Sequence, residues 1–473
     1  MAVAGARGGG PGRPGLCHPP PHPPGRRLNP SSPSRSPFRR DPHDREILRL
    51  ALPALGALVA EPIYILTDTA VVGHLGTDQL AGLAVASAIL LITYSMFIFL
   101  AYGTTASVAR LLGAERPGDA AHEAVQGMWL AFAVGVVLIG VGLVLAAPLV
   151  ALLGATGDVA EYALLYLRIS LFGVPATLIV LAGTGYLRGL QDTTTPLVVA
   201  VVSALANLAL ELFLIYGLGY GIGASAFATV LAQVGSAALY VWWVHRAVRQ
   251  HQVQLMPHGA TLRRLGIVGR DLFVRTAALR GSLLVATAVA TRLGTVALAA
   301  HQIAFEIWSF LALALDAVAI AGQALIGRYL GAGDVVSARR SGRRMLEWGV
   351  GAGIGLGLVT LALHSLAPRV FTSDPAVIDV CAFLLVFVAV SQPVNGAVFV
   401  LDGLLIGAGD LRFLARAMAI SFAAFVPCAL AVLALGAGIG WLWAALTFFM
   451  AVRLITLGWR WAGAGWAVTG ASR

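Results

Sequence analysis

Runs of roughly twenty apolar residues, almost free of charge, recur from Asp44 nearly to the end of this chain. Each is long enough to cross a hydrocarbon core of about 30 Å as a helix. A helix suits that setting because it satisfies its own backbone N–H and C=O groups where no water can. Only 11% of the 473 residues are charged and 58% are hydrophobic; a soluble domain carries roughly 25% charge. The chain therefore reads as an all-α polytopic membrane protein. About twelve spans can be drawn, at 46–72, 80–108, 122–148, 160–184, 194–216, 222–246, 276–294, 297–326, 346–366, 379–407, 413–435 and 439–459.

The charges that remain are patterned. All 32 basic residues are arginine. Without lysine there is no Walker A loop and no Schiff base to pyridoxal phosphate or retinal. Arginines gather after even-numbered spans, at Arg110 and Arg116, Arg188, Arg246 through Arg275, Arg328 through Arg344, Arg412 and Arg416, and Arg460. Loops after odd-numbered spans hold few, Arg369 being the clear exception. Positive loops stay cytoplasmic, so both termini are expected in the cytoplasm. This also accounts for the net charge of +10 without a nucleic-acid partner. Residues 1–44, rich in Pro, Gly, Ser and Arg, read as a disordered cytoplasmic tail, with anionic lipid as the alternative role. They lack the apolar core of a secretory signal. Cys17, Cys381 and Cys428 are scattered and form neither a disulfide framework nor a metal motif.

The two halves repeat at an offset of 218 residues. Leu75-Gly76-Thr77 matches Leu293-Gly294-Thr295, Arg110 matches Arg328, and Leu112-Gly113-Ala114 matches Leu330-Gly331-Ala332. Pro175 matches Pro393, Gly189 matches Gly407 and Asp192 matches Asp410. Six spans per repeat give both halves the same orientation, related by an axis along the membrane normal. The expected domains are an N-lobe at 45–246, a cytoplasmic linker at 247–275, a C-lobe at 276–460 and a cytoplasmic tail at 461–473. Two parallel six-helix bundles with a cleft between them form a transporter architecture, working by alternating access.

Buried polar residues break the apolar pattern. The first span holds Glu61, Pro62 and Asp68. The two acids, seven apart, share nearly one helix face, and Pro62 leaves the Leu58 carbonyl without its usual donor, favouring a bend. Asp68 either caps the membrane interface or faces a cavity and binds a cation or proton. Glu61 suits bend support or coupling equally. In the fifth span Asn207 and Glu211 are four apart and share a face, at a depth similar to Asp68. They either join helices or complete a cation site. The repeat sets Asp68, Asn207 and Glu211 against Ala286, Phe425 and Ala429, so the set is asymmetric. In the second half Gln302, Glu306, Asp316 and Asp402, near Trp308 and Phe310, suit an organic-cation cavity or helix–helix hydrogen bonds. His301 reads as a packing or loop-edge residue rather than a metal ligand.

Several segments resemble one family. YLRISLFGVPATLIVLAGTGYLRGLQDTTTPLVVAVVSALANLALELFLIYGLGYGIGASAFATVLAQ looks like the centre of the multidrug and toxic compound extrusion (MATE) family. TDTAVVGHLG, AAHQIAFEIWSFLALALDAVAIAGQALIGRYLG and QPVNGAVFVLDGLLIGAGD look like its DNA-damage-inducible-F-like branch, over residues 46–459 in all. The resemblance implies a twelve-helix, two-lobed secondary transporter. It would expel organic, often cationic compounds against inward H⁺ or Na⁺, with no other cofactor. It implies coupling through Asp68, Asn207 and Glu211, the last standing where the family commonly has Asp. Pro53 and Pro62 both match the family's bending first helix, and span 276–294 lacks the acid of the family's C-lobe ion site. A monomer in a plasma, or bacterial inner, membrane is expected. The rival is a flippase for a lipid-linked precursor, which wants a cationic cavity where this cleft reads as acid-bearing. No motif inside the spans suggests an enzyme.

Overall fold

The computed structural model describes residues 42–471. Fourteen helices account for nearly all of them, with no strand among the described residues. They are α1 (Pro42–Gly73), α2 (Thr77–Met96), α3 (Phe99–Gly113), α4 (Pro117–Leu152), α5 (Gly157–Leu171), α6 (Val174–Gly189), α7 (Thr194–Leu212) and α8 (Ile222–His251) in the N-lobe. The C-lobe holds α9 (Gly259–Arg292), α10 (Thr295–Gly331), α11 (Val335–Leu363), α12 (Pro375–Gly407), α13 (Leu411–Ala434) and α14 (Ile439–Ala462). Helices α2 and α3 run on as one span, and α5 and α6 form another bent by 51°, which gives twelve spans. The bend has a local cause. Pro175 stands at the second position of α6; without an N–H it cannot bond the Leu171 carbonyl four residues back, and its ring crowds that carbonyl, so the helix breaks there.

The repeat is written into the packing. A Cβ on Gly185 of α6 would lie 2.5 Å from the Ala101 carbonyl oxygen of α3, and one on Gly403 of α12 would lie 2.4 Å from that of Ala319 in α10. Both pairs differ by 218 residues. Helices approach this closely in lipid because small residues let their backbones meet.

The lobes meet at one end of the bundle. A Cβ on Gly113 would sit 2.0 Å from the Arg328 carbonyl oxygen, and one on Gly331 would sit 2.1 Å from that of Arg110. Arg110 crosses to the C-lobe, donating to the carbonyls of Ala408 (2.9 Å), Val468 (2.7 Å) and Gly470 (3.2 Å). Its repeat partner Arg328 crosses the other way to Gln191. The first helix of each lobe also begins on the opposite lobe. Asp44 of α1 accepts both Nε (2.6 Å) and a terminal nitrogen (2.9 Å) of Arg344 on α11, with Trp348 Nε1 donating at 2.9 Å. Arg264 of α9 pairs with Glu123 on α4. Gln126 of α4 accepts from His258 N (2.7 Å) and donates to Met256 O (2.9 Å), seating the start of α9.

Three expected boundaries shift. The linker expected at 247–275 is mostly helix: α8 continues to His251, α9 starts at Gly259, and only 252–258 is irregular. No proline interrupts 261–292, and Leu265 and Leu272 are buried, so the charged stretch simply extends the span. Residues 42–44 belong to α1; the rest of the expected N-terminal tail, with Cys17, lies outside the described residues. The segment expected as a C-terminal tail is docked. Trp466 is fully buried against Trp461, ring centroids 4.2 Å apart, and Gly470 N donates to Leu330 O at 3.0 Å.

Candidate functional site: an acid pair and a two-part cavity

In the N-lobe, α1, α7 and α8 bring three polar side chains together. Asp68 is 7% exposed and Glu211 fully buried. Ser225 Oγ of α8 donates to Asp68 Oδ1 at 2.8 Å. Glu211 lies beside the Asp68 carboxyl and the Ser225 hydroxyl without a hydrogen bond to either. Neither Glu211 oxygen has a donor, and the Asn207 Oδ1 one helical turn away is likewise buried without a partner. Two buried carboxylates side by side repel each other, and a proton on one of them or a cation between them relieves the repulsion. The local backbone helps. A π-type turn, Phe213–Gly217, follows α7 directly beyond Glu211, and such widened turns recur at functional sites. Within it Tyr216 OH donates to Val71 O at 3.3 Å, fastening the turn to α1 near Asp68.

Two cavities are lined by other residues of the two lobes. The first, about 320 Å³, sits in the N-lobe and is lined by Glu61, Tyr64, Thr229, Gln233, Arg188 and Asp316 among others. The second, about 300 Å³, sits in the C-lobe and is lined by Arg275, Arg280, Arg453, Asp402, Phe305 and Trp308 among others. Ile98, Tyr102 and Asp316 belong to both walls, so the cavities adjoin. Each is large enough for a small organic molecule. In the C-lobe, Asp402 Oδ2 accepts from Arg275 and from Arg453, each at 2.5 Å. All three side chains are more than nine-tenths buried.

The MatE family model matches residues 53–213 and 273–433, one block in each lobe. The chain belongs to the MatE family. It is 33% identical over 430 residues to Protein DETOXIFICATION 44, chloroplastic, of Arabidopsis thaliana, covering 88% of this chain and 81% of that protein. It is 28% identical over 443 residues to DNA damage-inducible protein F of Escherichia coli (strain K12), covering 89% and 94%. A solved multidrug resistance MATE family transporter of the MOP superfamily, in its outward-facing conformation, superimposes with a TM-score of 0.79 at 20% identity, over 90% of this chain and 97% of that one. This MatE protein is thus a multi-pass membrane efflux transporter of small organic compounds, with the DNA-damage-inducible-F-like branch among its relatives, and not an enzyme.

The MatE fold sorts the residues expected from the sequence. Asp68, Asn207 and Glu211 come together as a set. Glu61 does not join them; it lines the N-lobe cavity, where the charge it faces is Arg280 across the cleft. Pro62 lies inside an unbroken α1, as does Pro53. Asp316 and Asp402 line the C-lobe cavity, but Asp402 is held between two arginines rather than free for a cation. Gln302 and Glu306 are absent from that wall. They are exposed, Gln302 Nε2 donating to Glu306 Oε1 at 2.9 Å. The cleft is also not simply acid-bearing, since Arg188, Arg275, Arg280 and Arg453 line it. Sequence reasoning passed over them: Arg188 and Arg275 read as loop charges, while Arg280 and Arg453 sit in the middle of apolar runs, where a guanidinium is as telling as a carboxylate. Ser225 carries no signal in the sequence. His301 is buried against Trp443, a packing role.

Proposed function

We propose that the chain is a cation-coupled efflux antiporter in which the Asp68–Glu211 pair, with Asn207 and Ser225, takes up an inward-moving H⁺ or Na⁺. The observation that supports this reading is the donor-less Glu211 carboxylate facing Asp68. Buried acids are conventionally stabilised by a counter-charge, and here a transported cation supplies it. Uptake removes negative charge from the junction of α1, α7 and α8. A state whose affinity for substrate depends on that charge then releases its cargo, and the exchange is obligatory because each ligand favours a different state. The bundle closed at the Gly113–Gly331 end suits the half of the cycle in which cargo leaves. In this reading that end faces the cytoplasm, both termini lie there, and the protein works as a monomer in the plasma membrane. The flippase reading gains nothing from the relatives, whose matches run to efflux transporters.

The test is transport by purified protein in liposomes, with pH and Na⁺ gradients imposed separately. Asp68→Asn and Glu211→Gln should each lose gradient-driven efflux at least tenfold while the protein stays folded in the bilayer. Wild-type efflux by either variant removes that residue from the coupling site.

A further inference from the structure

The C-lobe cavity has more guanidinium than carboxylate. On its own wall Arg275, Arg280 and Arg453 stand with Asp316 and Asp402, and Glu61 of the adjoining cavity faces Arg280 across the cleft. One carboxylate oxygen of Asp402 serves both Arg275 and Arg453, and its other oxygen has no partner. The Nε of each of these arginines is buried and also unpartnered. Two buried guanidiniums sharing one carboxylate leave a positive charge uncompensated, and uncompensated charge at this depth is expensive. Arg280 is a further guanidinium on this wall. It makes no hydrogen bond or ion pair among the described residues, and it is exposed and lines this cavity. It lies twelve residues inside the end of α9, about 18 Å from that end by helical rise, so it is held near the middle of the span. An unpaired arginine at that depth marks a substrate path.

Among the leucines and small residues of the rest of the wall stands an aromatic group. Phe305 and Trp308 stack with centroids 5.7 Å apart, and Trp308 meets Phe399 edge-on at 6.5 Å. A ligand filling this cavity needs an apolar, flat body and a polar group that matches guanidinium forks. A carboxylate does so through paired N–H···O contacts. An ammonium meets like charge at the same place.

Resting on the efflux reading above, we propose that the C-lobe cavity accepts an aromatic organic anion, its carboxylate held by Arg280 beside the Arg275–Asp402–Arg453 cluster and its ring seated on Phe305, Trp308 and Phe399. The anion is the carboxylate that three arginines lack. This reverses the cationic substrate class expected from the sequence, which counted the acids of the C-lobe and missed its arginines.

Binding is measured by calorimetry on the full chain in lipid nanodiscs, with no gradient, using 2-naphthoate and the matched cation 2-naphthylmethylammonium. Naphthoate should bind at least tenfold tighter than the ammonium. Arg280→Gln should weaken naphthoate at least tenfold, and Arg280→Lys should recover part of the loss by restoring charge without the fork. Because Arg280 makes no hydrogen bond or ion pair that its loss would break, both variants should remain folded, as gel filtration and thermal unfolding will record. Tighter binding of the ammonium, absence of naphthoate binding at millimolar concentration, or an Arg280→Gln protein that binds naphthoate normally would each overturn the proposal. The coupling reading fails separately: it is read from gradient-driven efflux by Asp68→Asn and Glu211→Gln, whereas the Arg280 variants are read from naphthoate binding by the otherwise unchanged chain without a gradient.

Discussion

The two lobes share a backbone plan and treat buried charge in opposite ways. The N-lobe keeps Asp68 and Glu211 beside a hydroxyl and an amide, with no basic residue among their hydrogen-bond partners. The C-lobe clamps Asp402 between two arginines. At the 218-residue offset, the N-lobe set falls on Ala286, Phe425 and Ala429, all buried in the C-lobe core. The C-lobe cluster Arg275, Asp402 and Arg453 falls in turn on Ala57, Thr184 and Gly235. Each lobe has thus replaced the other's polar group by a small or apolar side chain. Under the proposed coupling, the difference decides which lobe answers to an ion. An acid already neutralised by fixed guanidiniums gains little from a proton. An acid facing another acid has to find one, or a metal cation, from outside.

The sharpest way to break the comparison is to remove the acid from each lobe and compare stability. Asp402→Ala strands Arg275 and Arg453 as buried, unpaired charges. It should cost about 3–5 kcal/mol, the usual penalty for removing one partner of a buried ion pair. Asp68→Asn keeps the acceptor for Ser225 and removes a charge that no arginine balances, so it should cost little or be stabilising. Thermal unfolding of the purified proteins in one detergent gives both numbers. Equal destabilisation by the two substitutions would dissolve the distinction between a structural and a responsive acid.

A smaller effect is expected at the closed end, where the lobes also use opposite polarity for one task. The N-lobe offers the acid Glu123 to Arg264 of α9, and the C-lobe offers the base Arg344 to Asp44 of α1. Both pairs fasten a first helix to the opposite lobe. Glu123→Arg should therefore loosen this end, and adding Arg264→Glu should restore it. The coupling energy expected for residues in direct contact is about 0.5–3 kcal/mol. Unfolding of the two single variants and the double variant closes the cycle. Additive behaviour would mean that the pair contributes nothing to holding the lobes together, and the same cycle on Asp44 and Arg344 tells whether the two clamps are equivalent.

The twelve spans, the repeat and the N-lobe acids were legible because each is local. A helix in lipid satisfies its own backbone, so it announces itself as an apolar run, and a carboxylate inside that run stands out. What was not legible is pairing across distance. Asp44 and Arg344 are 300 residues apart, and nothing in either span says that α1 begins on the opposite lobe. Arg275 was misread because charge density, not helical propensity, drew the edge of the seventh span at 276. Arg280 and Arg453 were as visible as Asp68, yet they were not weighed at all. Gln302 and Glu306 show the converse failure. Their spacing correctly puts them on one face of α10, but spacing cannot say whether that face meets a cavity or the outside.

That last pair gives the smallest expected effect and a useful control on the whole contrast. Gln302 and Glu306 form an exposed hydrogen bond one turn apart, near the start of α10 and away from both cavities. Exposed substitutions of this kind usually change stability by less than about 0.5 kcal/mol. Glu306→Gln keeps the shape and most of the hydrogen bonding while removing the charge. It should leave thermal unfolding, naphthoate binding and gradient-driven efflux within error of the parent protein. Loss of efflux with normal binding would place a second responsive acid in the C-lobe, and the division of labour between the lobes would then have to be redrawn around α10 rather than around α1 and α7.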